Sequence, residues 1–496
     1  MTEGTIPAAL DQAAERFAGR EALVDGEVRF TYAELARRVR QAARFFEGHE
    51  RVAICSPNTW HWVVAGLGAL YAGATLIPVN TRFTARETID VLERAEVSAL
   101  AITGTFLGTD RLAELGSSRP RTVLRIPVEG TEEPVDGVTE WDSLAGLDSD
   151  FVSHVEPGDV SDILFTSGTT GRSKGAMSSH RQALSVAEAW ADCGGLTEND
   201  RYLVVNPFFH SFGYKAGILA AVLRGATLLP QRTFDVRETL RLIESERVTV
   251  LPGAPTIYQV LLDAPERADH DLSSLRLAVT GAATVPVTLV ERMREELNLD
   301  TVLTAYGLTE AVVATMSRPE DDAELVANYS GRATAGFEVQ LGEHDEVLLR
   351  GPNVMLGYLD DPEATAKAVD ADGWLHTGDV GVLNERGYLK IVDRIKDMYV
   401  SGGFNVYPAE IEQALSRLDG VAESAVVGVP DHRLGEVGKA FVRLRPGAEL
   451  STEDVLAWCK AELANYKIPR FVDFVAELPR NLSGKVLKRV LREENG

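Results

Sequence analysis

Short apolar runs alternate with helical patterns through most of the chain. RVAIC begins at Arg51, an apolar stretch of helical length runs from Trp60 to Tyr71, and ATLIPV follows from Ala74. RETIDVLERAE and SALAIT continue the alternation, as do VRETLRLIESE, VTVLPG, LRLAVTG and PVTLVERMREEL further on. Strand-length runs interleaved with amphipathic helices predict an α/β architecture whose parallel sheets are flanked by helices. A ligand site is then expected beyond the carboxyl ends of the strands. ALYAGATLIPV from Ala69 echoes AVLRGATLLPQ from Ala221, each reading as helix, glycine stop and buried strand. The echo suits a duplicated architecture, and it also suits any two helix-glycine-strand units.

After about Asp393 the pattern changes. AEIEQALSRL reads as a helix, ESAVVGV and KAFVRLRP as strands, STEDVLAWCKAEL as a helix opened by a Ser451 to Asp454 cap, and RFVDFV as a strand. This predicts a small α+β carboxy-terminal domain over 394–496 following a large amino-terminal domain over 1–393 built of several subdomains. VDRIKDMYVSGG between them, with charges ahead of paired glycines, fits a hinge that would let the small domain act as a mobile lid.

Length and charge narrow the partners. The 496 residues exceed one ordinary domain, and 45% hydrophobic content supports a large core. A net charge of -24 argues against nucleic acid or an anionic membrane, so any anionic ligand must be met by local groups. Three scattered cysteines, Cys55, Cys193 and Cys459, signal neither a disulfide framework nor a zinc cluster, and suit a reducing cytoplasm. The amino terminus shows no secretory pattern, and no apolar stretch is long enough to span a bilayer.

Against that acidic background DILFTSGTTGRSKG, Asp162 to Gly175, stands out: an apolar run, then a loop of glycines, hydroxyls and cations. A Walker loop fails on spacing, because Ser173 stands where the second glycine would be. Gly171, Ser173 and Gly175 spell GxSxG, the pattern of a hydrolase nucleophile elbow. A third reading is a phosphate cradle, with Thr166, Ser167, Thr169, Thr170 and backbone N–H groups donating, Gly168 and its fellow glycines admitting the main chain, and Lys174 supplying charge. A plain surface loop is the remaining alternative.

TSGTTGRSKG resembles the signature loop of the adenylate-forming superfamily, which includes acyl-CoA synthetases, peptide-synthetase adenylation domains and luciferases. YGLTE at Tyr306, TGD at Thr377, DRIK at Asp393, GGFNVYPAEIE from Gly402 and PRNLSGK ending at Lys485 follow in that family's order and cover most of the chain. The resemblance implies activation of a small carboxylic acid by ATP with Mg2+, giving an acyl-adenylate and pyrophosphate. Lys485 would bridge the substrate carboxylate and the phosphate oxygens, and Thr309 and Glu310 would act beside it. Glu310 would hold magnesium with Thr166. Gly281, Ala282, Ala283, Tyr306 and Gly307 would form the adenine pocket. Asp379 would accept from both ribose hydroxyls with Arg394 alongside, although either could serve in a surface ion pair.

The same resemblance implies that the lid turns about Lys396 after adenylation and brings Gly402 and Gly403 to an acceptor tunnel. With no carrier-protein domain in the chain, coenzyme A is the expected acceptor, and an amine, as in stand-alone amide-bond synthetases, is the alternative. Lys467, Arg470, Arg480, Lys488 and Arg489 could meet the phosphates of coenzyme A or form a solvated helix face. Phe209, His210 and Tyr214, within NPFFHSFGYKAG, and Val312 and Val313 would line the acyl pocket, with His210 as gate or as a packed core histidine. These stretches look most like actinobacterial ligases for bulky ring-bearing acids. AVVATM after Glu310 departs from the family, where glycine is common early in the segment, and would reshape the pocket.

Overall fold

The computed structural model describes residues 4–130, 133–166, 173–281, 285, 287–394, 397–401, 404–463, 465–480 and 486–493. The chain divides into two compact units, one of Met1–Glu338 with Leu349–Leu375 and one of Val339–Leu348 with His376–Gly496.

The first unit is built on two large sheets. One has the spatial order 357–358, 174–179, 160–166, 75–78, 51–55, 99–103, 122–126, 139–140. Its strands are parallel from Val160–Thr166 outward to Thr139–Glu140. The two strands at the other edge are antiparallel. The other sheet comes in two four-stranded halves, 201–204, 227–230, 21–25, 28–31 and 277–281, 301–306, 315–316, 332–333. VTVLPG supplies no full strand between them. Val250 alone makes parallel bridges to Tyr202 and to Leu277, and so joins the halves.

Local chemistry sets the helix ends. Capping boxes, in which a hydroxyl and an acidic or amide side chain satisfy each other's backbone N–H groups, open the helices at Thr31 with Glu34, Thr84 with Glu87 and Ser179 with Gln182. The helix Trp60–Tyr71 is buried from His61 to Tyr71, as its unbroken apolar sequence requires. Both copies of the echoed segment form the same unit. Gly73 at φ +86° precedes strand Thr75–Pro78, and Gly225 at φ +73° precedes strand Thr227–Pro230. The left-handed backbone there favours glycine.

The second unit holds a four-stranded sheet, 338–341, 346–350, 375–383, 389–394, and a five-stranded one centred on Gly435–Leu444. Alternate residues of the long hairpin face opposite ways. Val426, Ala440 and Val442 pack with Ile411, Leu415, Val455 and Cys459 of two helices, whereas Ala425, Val427 and Phe441 pack with Leu478 and Leu491. Ser451 and Asp454 form the expected capping box. The α/β and α+β expectations hold, with mixed rather than purely parallel sheets at the edges.

Candidate active site

The DILFTSGTTGRSKG loop lies between the two paired strands of a β-hairpin. Strand Val160–Thr166 pairs antiparallel with Lys174–Ser179, in a register that sets Thr166 opposite Lys174 and Phe165 opposite Gly175. A nucleophile elbow turns from strand into helix around its serine. Here Ser173 runs straight into a strand that includes Gly175, so GxSxG is a coincidence of spelling. Ser173 O instead accepts from Arg94 at 2.8 Å, and the Arg94 guanidinium lies over the Phe165 ring.

At the root of this hairpin three side chains meet. Tyr358, on the short strand paired with Lys174–Ser179, donates its hydroxyl to Glu310 Oε1 at 2.7 Å. Lys174 Nζ sits 4.9 Å from the centre of the Tyr358 ring, a cation–π distance. Burial and the Glu310 charge push the Tyr358 hydroxyl pKa up, so it stays a donor. Thr166 Oγ1 donates to Lys174 O at 3.4 Å. The group offers a cation, a hard carboxylate and hydroxyls on one patch, the donor set that nucleotide phosphates and a magnesium ion need.

Glu310 is held by a tight turn after strand Thr301–Tyr306. A Cβ on Gly307 would lie 1.7 Å from Val312 O, so only glycine fits. Val312 N donates to Leu308 O at 2.5 Å and Ala314 N to Tyr306 O at 3.0 Å, while Met355 N donates to Glu310 O at 2.7 Å. Val312 itself sits at φ +60°, a costly conformation for a β-branched residue. This is the segment where the sequence departs from the family's glycine. Val312 and Val313 are both buried in the main core. Gly281 pairs with Ala305 on the strand beside Tyr306.

His210 follows strand Arg201–Val204. Asn58 braces the approach, donating to Asn206 O at 2.9 Å and accepting from Phe208 N at 2.7 Å. Phe212 N donates to His210 Nδ1 at 3.2 Å, which leaves the proton of the neutral ring on Nε2. His210 is open to solvent on one side while protein crowds the rest, and that desolvation lowers its pKa. The open side limits the shift, but both observations favour a neutral imidazole. Phe209 is half-buried, whereas Tyr214 is fully buried, its ring beside Trp62. Phe212, missed by sequence reasoning, lies half-buried two residues past His210, edge-on to Trp190 at 4.7 Å.

In the second unit Asp379 is buried, opposite Arg394 in the strand register. Thr377 Oγ1 accepts from Asp379 N at 3.1 Å and donates to Val347 O at 2.7 Å, shaping the TGD turn. Among the basic residues of the tail, Lys467 pairs with Glu410, Arg480 with Glu423, Lys488 with Glu412 and Arg489 with Glu493. A self-neutralised reading therefore suits these four better than a phosphate-binding face. Ser167, Gly168, Thr169, Thr170, Ala282, Ala283, Lys396, Gly402, Gly403 and Lys485 lie outside the described residues, as does the side chain of Arg394. Among the described residues, no helix is long and apolar enough to cross a membrane.

The first unit thus gathers a cation, a hydroxyl and a carboxylate at the root of one hairpin, a donor set suited to a nucleotide. The chain belongs to the AMP-binding enzyme family, which matches residues 10–359, with the family's C-terminal domain matching residues 410–485. It is 57% identical, over all of both chains, to the 3-(7a-methyl-1,5-dioxo-octahydro-1H-inden-4-yl)propanoyl:CoA ligase of Rhodococcus jostii. Among solved structures it resembles ATP-bound MatB from Rhodopseudomonas palustris, with 30% identity, TM-score 0.88 and 99% of each chain covered. It also resembles the amide bond synthetase McbA from Marinactinospora thermotolerans, with 27% identity, TM-score 0.86, and 99% of this chain and 100% of that one covered. It is an ATP-dependent ligase that activates a carboxylic acid as an acyl-adenylate and passes the acyl group to a thiol or an amine.

Proposed function

We propose that this chain is an acyl-CoA ligase for carboxylic acids whose short side chain hangs from a polycyclic ring. The observation that carries it is the meeting of Lys174, Tyr358 and Glu310 at the root of the Thr166–Lys174 hairpin, where ATP phosphates would be neutralised. Likeness at 57% identity to a ligase named for a ring-bearing propanoyl group supports the acid class, and the same name supports coenzyme A as acceptor.

In the first half-reaction a carboxylate oxygen attacks the α-phosphorus. The new O–P bond forms as the bond to the bridging oxygen breaks, and pyrophosphate leaves with the electron pair. Two anions must approach, so positioning and charge neutralisation dominate the barrier. Ser167, Gly168, Thr169, Thr170 and Lys174 would hold the β- and γ-phosphates. Gly281, Ala282, Ala283, Tyr306 and Gly307 would seat adenine, Asp379 and Arg394 the ribose, and Lys485 the reacting oxygens, with Thr309 beside them. Glu310 and Thr166, hard oxygen donors, fit Mg2+, which would neutralise phosphate charge when bound. Phe209, His210, Tyr214, Val312 and Val313 would form the acyl pocket, with neutral His210 as gate. A lid of 394–496, turning about Lys396, would then offer Gly402 and Gly403 to the thiol. Buried, unoxidised Cys55, Cys193 and Cys459 suit a cytoplasmic setting.

The likeness to McbA favours an amine acceptor as the second reading. The test incubates bicyclic keto-propanoic, aromatic and fatty acids with ATP and Mg2+, then adds coenzyme A or a panel of amines. Pyrophosphate release with the bicyclic acids followed by thioester is the expected result. Amide without thioester would reverse the acceptor, and release only with fatty acids would sink the acid class. Lys485→Ala should slow adenylation by about a hundredfold or more while supplied acyl-adenylate is still consumed. Equal loss of both half-reactions would contradict an alternating lid.

A further inference from the structure

Beneath the phosphate hairpin lies a buried ionic cluster that the proposed chemistry does not use. Asp162, on the hairpin's first strand, is 0% exposed, and Lys215, on the helical turn after His210, is 1% exposed. Lys215 Nζ donates to Ser178 Oγ at 2.8 Å. It also lies 2.9 Å from Asp162 Oδ1, a close ion contact without the alignment of a hydrogen bond. Ser161 Oγ donates to Asp162 Oδ2 at 2.7 Å, and Ser178 stands opposite Asp162 in the hairpin register. Three elements, both hairpin strands and the helix, are thus tied at one point.

Stability alone is a poor reason for such a pair. Removing a carboxylate and an ammonium from water costs several kcal/mol per ion, and apolar replacements of equal volume are often neutral or stabilising. What an ion pair supplies that apolar contacts do not is a directional constraint. The pair lies four residues before Thr166, roughly 13 Å along an extended strand. It lies five residues beyond His210 in the chain. The helix from Phe212 to Leu219 is a π-helix, a rare widening frequently found at functional sites. Its start is pressed onto the preceding backbone, because a Cβ on Gly213 would lie 2.3 Å from Pro207 O. Asn58 holds the His210 segment from one side, and Lys215 holds it from the other.

We propose that Asp162 and Lys215 are positioning residues that fix the acid-binding turn around His210 and Phe212 relative to the phosphate hairpin. The pair sets the line of approach between carboxylate and α-phosphorus. This rests on the reading of those two segments as acid gate and phosphate loop. It predicts a selective defect: adenylation needs both segments in register, whereas attack of a thiol on a finished adenylate makes no use of the β- and γ-phosphates.

The experiment compares the wild-type enzyme with Lys215→Met, Asp162→Asn and the double variant, using whichever acid of the panel the wild type activates best. Lys215→Met alone strands a buried carboxylate and serves as the stability control. The double variant is expected to melt within a few degrees of the wild type. Its acid-dependent ATP–pyrophosphate exchange should fall at least tenfold, in kcat and the KM for acid rather than the KM for ATP. Its rate of thioester formation from supplied acyl-adenylate should stay within twofold. Wild-type exchange in the double variant, or an equal fall in both half-reactions, would overturn the positioning role while leaving the site reading intact. Absence of exchange by the wild type with every acid would instead overturn the site reading and this inference with it.

Discussion

The helix Trp60–Tyr71 and the helical stretch from Phe212 to Arg224 each run into a left-handed glycine and a short strand ending in proline. The first strand lies between Arg51–Cys55 and Val160–Thr166, the second between Arg201–Val204 and Glu21–Asp25. The first helix is regular and buried without a charged side chain. The second opens as a π-helix and buries Lys215, at a place where counting back from the echo reaches the buried valines Val63 and Val64. One plan is thus used twice, once as a regular helix and once with a widened turn beside the proposed acid pocket. The difference teaches that the start of such a unit can be reshaped without altering its helix-glycine-strand end.

Substitutions at matched places would break or sharpen this contrast. Lys215→Met should destabilise the fold by about 3–5 kcal/mol, because Asp162 keeps a buried, unpaired charge. Val63→Ala should cost about 2 kcal/mol, the price of a small cavity. Urea unfolding that showed equal losses would erase the distinction between the copies. Gly225→Ala should cost about 3 kcal/mol, since the new Cβ would fall 2.5 Å from the Phe17 ring in a left-handed backbone. Gly73→Ala meets only Val155 Cγ1 at 3.4 Å and should cost about 1 kcal/mol, the backbone share alone. Thermal melts of this pair separate crowding from conformation.

A further contrast concerns protons. Burial holds His61, in the plain copy, at a pKa of about 3, and its Nδ1 has no hydrogen-bond partner. The unfolded chain therefore binds this proton first as pH falls. Its contribution to stability is complete above about pH 6.5 and is lost toward pH 3, at about 1.4 kcal/mol per pH unit within that window. His61→Phe should flatten this slope in denaturant midpoints measured from pH 7 to pH 5. An unchanged slope would mean that the folded ring takes up its proton as readily as the unfolded chain does. His210, open to solvent on one side, should contribute a shallower slope of the same sign.

What could be read in advance was local. Helix caps at Ser451, glycine stops at Gly73 and Gly225 and the run of apolar strands depend on neighbouring residues, and they stand as expected. The phosphate reading of the loop rests on a loop without acidic residues being conspicuous in an acidic chain. Whether that loop ended in a helix or a hairpin turned on pairing with Lys174–Ser179, which its glycines do not encode. Tyr358 escaped notice because its partner Glu310 is distant in sequence. Lys215 escaped because one lysine in an apolar run reads as a surface residue until Asp162 is seen beside it. The basic tail residues suggested phosphate for the converse reason: their acidic partners Glu410, Glu412 and Glu423 lie far upstream.

Val250 bridges strand Arg201–Val204, which leads to His210, and strand Leu277–Gly281, which leads to the segment proposed for adenine. Leu203 N donates to Val250 O, and Leu251 N to Leu277 O, across this seam. This seam, Thr249 to Gly253, carries hydrogen bonds on both sides and makes the two halves a single cooperative block. The amides of Leu203, Leu251 and Leu277 should exchange with solvent at one common slow rate. The segments proposed to bind the acid and the nucleotide would then melt as one body, so that a ligand on either protects both.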